Sequence, residues 1–234
     1  MKPALALAYS CGSGYTGHCY SVAQWYGDTF GLYTQITASP LNNMYSTNSG
    51  TPDRLQSEAW LEDAHTSTCQ QNPVGQCWVE AGLTVGNIGD GYASSAQYFW
   101  ADLRPGYGIN EHDWPAVNGN DTVASALIEY SSTDTFYVRM LSSSFNSDAY
   151  GPSYSTNNSM SPDWIHAGQE VSGTGGSSSG TYSFTDNQWE DSNFNLHYQT
   201  NDGWTPRTDD PPYGYWGSRP SQSSTGGAWN AYCC

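Results

Sequence analysis

The chain of 234 residues predicts an all-β fold, an antiparallel β-sandwich of jelly-roll type with long irregular loops and a C-terminal tail. Three observations predict it. Short runs alternate apolar and polar residues with period two and recur along the chain with turn residues between them. The chain carries 10 Trp, 18 Tyr and 6 Phe but few Leu, Ile and Val, so its core is made of rings and small side chains, which suit a pleated surface. Good helix formers are scarce, so helix is expected in fewer than about one residue in ten.

Candidate strands follow in order at residues 29–37, 76–85, 96–103, 122–129, 135–141, 164–172, 180–186 and 193–200. In 135–141 Phe136, Val138 and Met140 alternate with Tyr137, Arg139 and Leu141. In 193–200 Phe194, Leu196 and Tyr198 alternate with Asn195, His197 and Gln199. Residues 53–63 are the one stretch with a helical look, and a weak one; Glu58 to Glu62 read equally well as an edge strand. Three stretches read as loops. Residues 146–162 are rich in Ser, Asn and Tyr. Residues 173–180 are nearly pure Gly and Ser and suit a flap. Residues 205–224 carry Pro206, Pro211, Pro212 and Pro220 and suit an irregular tail. One domain over 1–234 is expected, since that length suits a single all-β unit with a full core. Within it 1–28 reads as an N-terminal segment tied by disulfides and 205–234 as the tail.

The net charge of −16 reflects missing bases: 22 acidic residues stand against 6 Lys and Arg. Nucleic-acid binding needs clustered cations and is excluded as an expectation; so is docking on an anionic membrane. A chain with few bases gains little positive charge when its carboxylates protonate, so self-repulsion in acid stays small. No stretch is long and apolar enough for a transmembrane helix. The first eight residues are too short an apolar run for a signal peptide.

Six cysteines fall in three close pairs: Cys11 and Cys19, Cys69 and Cys77, Cys233 and Cys234. An even count in a Ser/Tyr/Gly-rich chain favours disulfides and a secreted, extracellular protein. Cys69 to Cys77 closes a short loop. The other four could join the two termini or pair locally. No CxxC or His-x-x-x-His spacing suggests a metal, and no cofactor is expected.

The chemistry concentrates on two glutamates. Glu80 lies in a run where Val79, Ala81, Leu83 and Val85 share one face, and Trp78, Glu80, Gly82 and Thr84 the other. Glu170 lies in a run where Ile165, Ala167 and Val171 share one face, and Trp164, His166, Gly168, Glu170 and Ser172 the other. Successive strand side chains point to opposite faces, so both carboxylates point away from the aliphatic core. Gly82 and Gly168, two positions away, leave room for a close approach. A carboxyl pair can divide labour, one ionised as base and one protonated as acid. His166 shares the Glu170 face and is a candidate to tune it; His18, His65, His112 and His197 read as surface histidines. Asp102, on one face with Tyr98 and Trp100, reads as a neighbour of the cleft. No G-x-S-x-G motif supports a serine nucleophile.

The run Val79 to Val85, followed by Ala96-Gln97-Tyr98-Phe99-Trp100-Ala101-Asp102, resembles the neprosin family, which pairs an I-E-x-G-W-x-V strand with an aromatic F-x-Y-W-x-x-D strand. Ala167-Gly168-Gln169-Glu170-Val171 is similar to that family's W-G-G-E-V motif. The chain departs from the pattern at Leu83 and Ala167, each in place of a Trp. The related eqolisin glutamic peptidases have glutamine where Glu80 stands, in an L-Q-x-G-V strand. The resemblance covers roughly residues 78–182 and implies that Glu80 and Glu170 are catalytic.

A secreted glutamic endopeptidase is therefore the leading expectation. Its substrate is a polypeptide, with Trp78, Tyr98, Trp100, Asp102, Trp164 and His166 around it. A second reading is a glycoside hydrolase whose aromatics stack sugar rings beside two catalytic glutamates. A third is a non-catalytic carbohydrate-binding or extracellular structural protein.

Overall fold

The computed structural model describes residues 18–46, 54–72, 74–88, 91–103, 109–130, 135–150, 160–172, 176–178, 182–198, 205–206, 216–217 and 229–233. They form strands β1 (His18–Tyr26), β2 (Gly31–Thr37), β3 (Met44–Ser46), β4 (Arg54–Asp63), β5 (Cys77–Ile88), β6 (Gly91–Leu103), β7 (Ile109–Ala116), β8 (Val123–Tyr130) and β9 (Phe136–Ser142). There follow β10 (Asn146–Tyr150), β11 (Trp164–Ser172), β12 (Gly176–Ser178), β13 (Tyr182–Glu190), β14 (Leu196–Tyr198), β15 (Thr205–Pro206), β16 (Trp216–Gly217) and β17 (Trp229–Cys233). Helix among the described residues is limited to two three-residue 3-10 turns, Leu41–Asn43 and Cys69–Gln71. No helix among them is long and apolar enough to cross a membrane.

The strands make two antiparallel sheets. One runs β12-β3-β6-β5-β4-β11-β1-β15, with β7 added beside β6. The other runs β10-β9-β8-β2-β13-β17-β16, with β14 beside β13. The aliphatic faces predicted from alternation meet between them. Leu55, Ala59 and Leu61 of β4, Val79, Ala81, Leu83 and Val85 of β5, and Ile165 and Ala167 of β11 come from the first sheet. Leu32, Ile36, Ala126, Ile128, Phe136, Val138, Met140 and Phe184 oppose them from the second. Burying apolar area of this kind contributes about 25 cal/mol per Å² and is the main force holding the sheets face to face.

Several sequence expectations need correction. Residues 54–63 are neither helix nor edge: β4 sits between β5 and β11, in the middle of its sheet. Residues 18–26, read as part of a tied N-terminal segment, form the nine-residue strand β1 along β11. Part of the expected 146–162 loop is β10, paired to β9. Part of the expected flap is β12, paired to β3. The tail contributes β15 against β1, and β16 and β17 at one end of the second sheet. Short edge strands rich in Ser, Asn and Gly are held by ladder hydrogen bonds and carry little side-chain pattern. The Cys69–Cys77 disulfide is formed and closes the turn before β5, as the spacing suggests. The side chains of Cys11, Cys19, Cys233 and Cys234 lie outside the described residues.

Candidate active site

The outer face of the first sheet is built on three strands. Across β5, β4 and β11, Glu80 faces Trp60, which faces His166. Thr84 faces Gln56, which faces Glu170, and Tyr20 of β1 lies beyond it. Directly paired antiparallel residues point the same way, so all of these share a face. Glu80 and Glu170 thus stand on strands that do not pair with each other; β4 runs between them.

In a flat sheet their Cα atoms, two strands and four residues apart, would be about 17 Å from each other. The sheet is not flat. Arg54 of β4 and Glu111 of β7 are three strands and six residues apart, about 25 Å between Cα atoms in a flat sheet, yet their side chains form an ion pair at 2.7 Å. The sheet therefore curls into a trough, and side chains from separate rows converge in it. The trough holds a cavity of about 320 Å³. Its acidic wall is Glu80 and Glu170, its aromatic wall Tyr20, Trp60 and Trp78, and Arg54, Gln56 and Gln76 add polar groups. Val74 and Ile109, 56% and 53% exposed, stand at the cavity as open apolar positions. Glu80 is 8% exposed and Glu170 7%, so each reaches the cavity while nearly closed to bulk water.

That enclosure sets the electrostatics. Burial first, then the charge of Glu170, push the Glu80 carboxyl up to about 8, against the pull of Arg54. The site therefore favours the protonated form of Glu80. Burial alone would push the Arg54 guanidinium down, but Glu111 and then Glu170, Glu80 and Glu58 hold it charged. Glu58 is fully buried and is raised well above the usual carboxylate range by burial and then by Glu80 and Glu170.

Of the residues the sequence singled out, Glu80, Glu170 and Trp78 line the cavity. His166 and Trp164 share its face but sit away from it. His166 is fully buried, with its ring between Trp60 (4.6 Å) and Trp164 (4.4 Å) and its Nε2 3.3 Å from a Glu62 oxygen. Trp164 stacks on Tyr26 at 4.5 Å.

Tyr98, Trp100 and Asp102 lie on the opposite face. They pair with Leu83, Ala81 and Val79, which are core residues, so they point into the sandwich. Tyr98 stacks on Phe145 at 4.4 Å and donates its hydroxyl to Asp121, with the Ser142 Oγ 2.8 Å from the same phenol oxygen. Trp100 stacks on His112 at 4.1 Å, and Asp102 is wholly buried beside Asn110. None of the three touches the cavity.

The sequence reading missed Tyr20, Arg54, Gln56, Glu58 and Trp60. A signal was present: Arg54, Gln56, Glu58, Trp60 and Glu62 recur at every second position, opposite Leu55, Ser57, Ala59 and Leu61.

No protein-family model matches the sequence, and no curated protein matches it. Solved structures do. The chain is similar to scytalido-glutamic peptidase with a transition state analog inhibitor, at 12% identity and a TM-score of 0.58 over 92% of this chain and 98% of that one. A second structure of scytalido-glutamic peptidase, with a peptide-based transition state analog, matches at 11% identity and a TM-score of 0.54 over 94% and 98%. SCP-B, a member of the eqolisin family of peptidases in a complex with the tripeptide Ala-Ile-His, matches at 10% identity and a TM-score of 0.58 over 94% and 98%. The neprosin side of the resemblance rests on the sequence motifs alone. At these identities the likeness concerns architecture, and on it the chain has the fold of the glutamic peptidases.

Proposed function

We propose that this protein is a secreted glutamic endopeptidase that hydrolyses peptide bonds with a water activated between Glu80 and Glu170. The observation that carries the reading is the one cavity lined by two nearly buried carboxyls, Glu80 and Glu170, with burial and the charge of Glu170 pushing Glu80 up to about 8. Glu170 as carboxylate takes a proton from water, and the oxygen attacks the peptide carbonyl. The Glu80 O–H donates a hydrogen bond to the oxyanion that develops. Glu170 then passes its proton to the leaving amine, the C–N bond breaks, and both carboxyls return to their starting states. A neutral Glu80 is a donor of the same kind as the glutamine found there in eqolisins. Trp60, Trp78 and Tyr20 form the walls against which a polypeptide would lie. The Cys69–Cys77 disulfide fits an oxidising compartment, which supports secretion.

The test is cleavage of a denatured casein-like protein between pH 3 and pH 7, with xylan and glucan in parallel. Glu170→Gln is expected to lower kcat by at least about 10³-fold. Glu80→Gln, nearly isosteric and still a donor, is expected to keep measurable turnover. Polysaccharide hydrolysis without proteolysis would move the assignment to a glycosidase that stacks sugars on the same three rings. No turnover of either substrate by folded protein would leave a binding role.

A further inference from the structure

Glu58 takes no part in the mechanism above and does not line the cavity, yet its position on β4 falls between those of Glu80 and Glu170. Its row runs Val22, Gly168, Glu58, Gly82, Phe99 across β1, β11, β4, β5 and β6. It is one row and one strand from Glu80, and one row and one strand from Glu170 on the other side. Both of its lateral neighbours are glycines. At Gly82 a Cβ would stand 2.7 Å from the Glu58 Cα and 2.8 Å from its Cβ, so the bare backbone lets β5 press against this residue. The room that the sequence showed beside Glu80 is thus closed by the backbone and Cβ of Glu58 on the next strand.

Glu58 is wholly buried, and among the described residues neither carboxyl oxygen has a hydrogen-bond partner. The groups facing it are Glu80 from β5, Glu170 and His166 from β11, Arg54 and Glu62 on its own strand, and Glu111 from β7. Arg54 is engaged by Glu111 at 2.7 Å, and His166 lies toward Glu62. A buried carboxylate with no donor and two acidic neighbours is the costliest state available to it, so it carries its proton. A protonated carboxyl is a donor.

We propose that Glu58 is a positioning residue of this site: a neutral acid, without a hydrogen-bond partner among the described residues, whose O–H turns to whichever of Glu80 and Glu170 ionises. The proton stays on Glu58 throughout, and the hydrogen bond it offers favours the ionised state of its neighbour. On the proposed mechanism that neighbour is Glu170. The catalytic consequence rests on that reading; the titration does not.

The experiment is an NMR titration of protein labelled with carboxyl-13C glutamate, from pH 3 to pH 9, for the wild type, Glu58→Gln and Glu58→Leu. The Glu58 resonance is expected to keep its protonated shift beyond pH 7. Glu58→Leu, which removes the donor, is expected to raise the midpoint of the first trough carboxyl to ionise by about one pH unit, a tenfold change in its ionisation constant. Glu58→Gln, neutral and still a donor, is expected to leave that midpoint within about 0.3 units. The acid limb of kcat/KM is expected to move with it, as a purely structural residue would not make it do. Ionisation of Glu58 below pH 5, or an unmoved midpoint in Glu58→Leu, overturns the proposal. A downward shift in both variants also overturns it, because it means Glu58 was charged. Should Glu58→Leu fail to fold, Glu58→Met gives the same comparison. If the wild type cleaves no peptide, the peptidase reading falls while the titration still decides the role of Glu58.

Discussion

Asp121 and Glu58 are both shut away from water, and the molecule treats them in opposite ways. Asp121 lies on the sandwich side of the first sheet, between β7 and β8. Burial alone would raise it, but the hydroxyls of Ser143, Ser144, Ser142 and Tyr98 donate to it and hold it at about 2. Glu58 lies on the trough side with no such donor and with two carboxyls for neighbours, and it is pushed up. One buried carboxyl is favoured in its ionised form and fully served; the other is favoured in its neutral form and has no described hydrogen-bond partner. Served groups specify a unique structure, whereas unserved ones mark places where strain is kept for another purpose. The trough is the unserved side of the same sheet.

The sharpest break of this contrast is Asp121→Ala. It leaves four hydroxyl donors without their acceptor, at a cost of about 3 kcal/mol. Asp121→Asn keeps one acceptor oxygen and is expected to cost about 1 kcal/mol. Urea midpoints at pH 6 measure both, and an Asp121→Ala midpoint equal to wild type would remove the network from the account of the fold.

A pH series sets the two kinds of carboxyl against each other. Asp121 is depressed from 3.8 to about 2, so its contribution is complete above 3.8 and is lost as pH falls through 2. Glu80 is raised from 4.5 to about 8, so the fold favours its protonated form. Its contribution is complete below 4.5 and is lost as pH rises toward 8, and Glu58 works in the same direction. Stability is therefore expected to peak near pH 4 and to fall by on the order of 4 kcal/mol by pH 8. A Tm that rises steadily from pH 4 to pH 8 would contradict the raised trough carboxyls.

How much of this was legible in the sequence differs between the two sides of the sheet. The aliphatic alternation of Val79 to Val85 and of Ile165 to Val171 gave two strands and pointed both glutamates outward, because period-two burial leaves a direct trace in composition. β4 was not legible, because it is buried on both faces: from Leu55 to Asp63 every residue is closed to solvent. Its polar face is hidden by the curl of the sheet rather than by apolar partners, so Arg54 to Asp63 gives neither a clean strand pattern nor a helical one. The faces of β6 were misjudged for another reason. Tyr98, Trp100 and Asp102 alternate with Gln97, Phe99 and Ala101, and both sets carry rings. Only the pairing with β5 decides which set joins the core, and register is a tertiary fact.

Glu58→Leu sharpens the contrast from the stability side. Replacing an unserved buried acid with an apolar side chain of similar size often stabilises a fold. The gain is expected to be close to zero at pH 4, where the acid is neutral in folded and unfolded chains alike, and about 1 kcal/mol at pH 8. Thermal unfolding at the two pH values measures it. A loss at both would mean that Glu58 holds the sheet together, which no described hydrogen bond predicts.

The smallest effect belongs to a third buried carboxyl, which lies between the two extremes. Glu190 of β13 is 1% exposed and is raised to about 8, by burial first and then by the charge of Glu129, with which it shares a hydrogen bond. Glu129 of β8 is raised too, by burial. Both pair with Gly31 of β2, where a Cβ would collide with a Glu190 carboxyl oxygen, so the glycine lets two acids meet across the second sheet. Such a pair shares one proton at neutral pH. Unlike Asp121 it has no row of hydroxyls, and unlike Glu58 it has one partner. Glu190→Gln keeps a donor for Glu129 and removes the titration. Stability at pH 4.5 is then expected to stay unchanged, and at pH 8 to rise by less than about 1 kcal/mol, because the partly open pair is screened. The slope of Tm against pH between those values is the measurement. A slope identical to wild type would show that the pair contributes nothing and that the trough alone accounts for the decline toward pH 8.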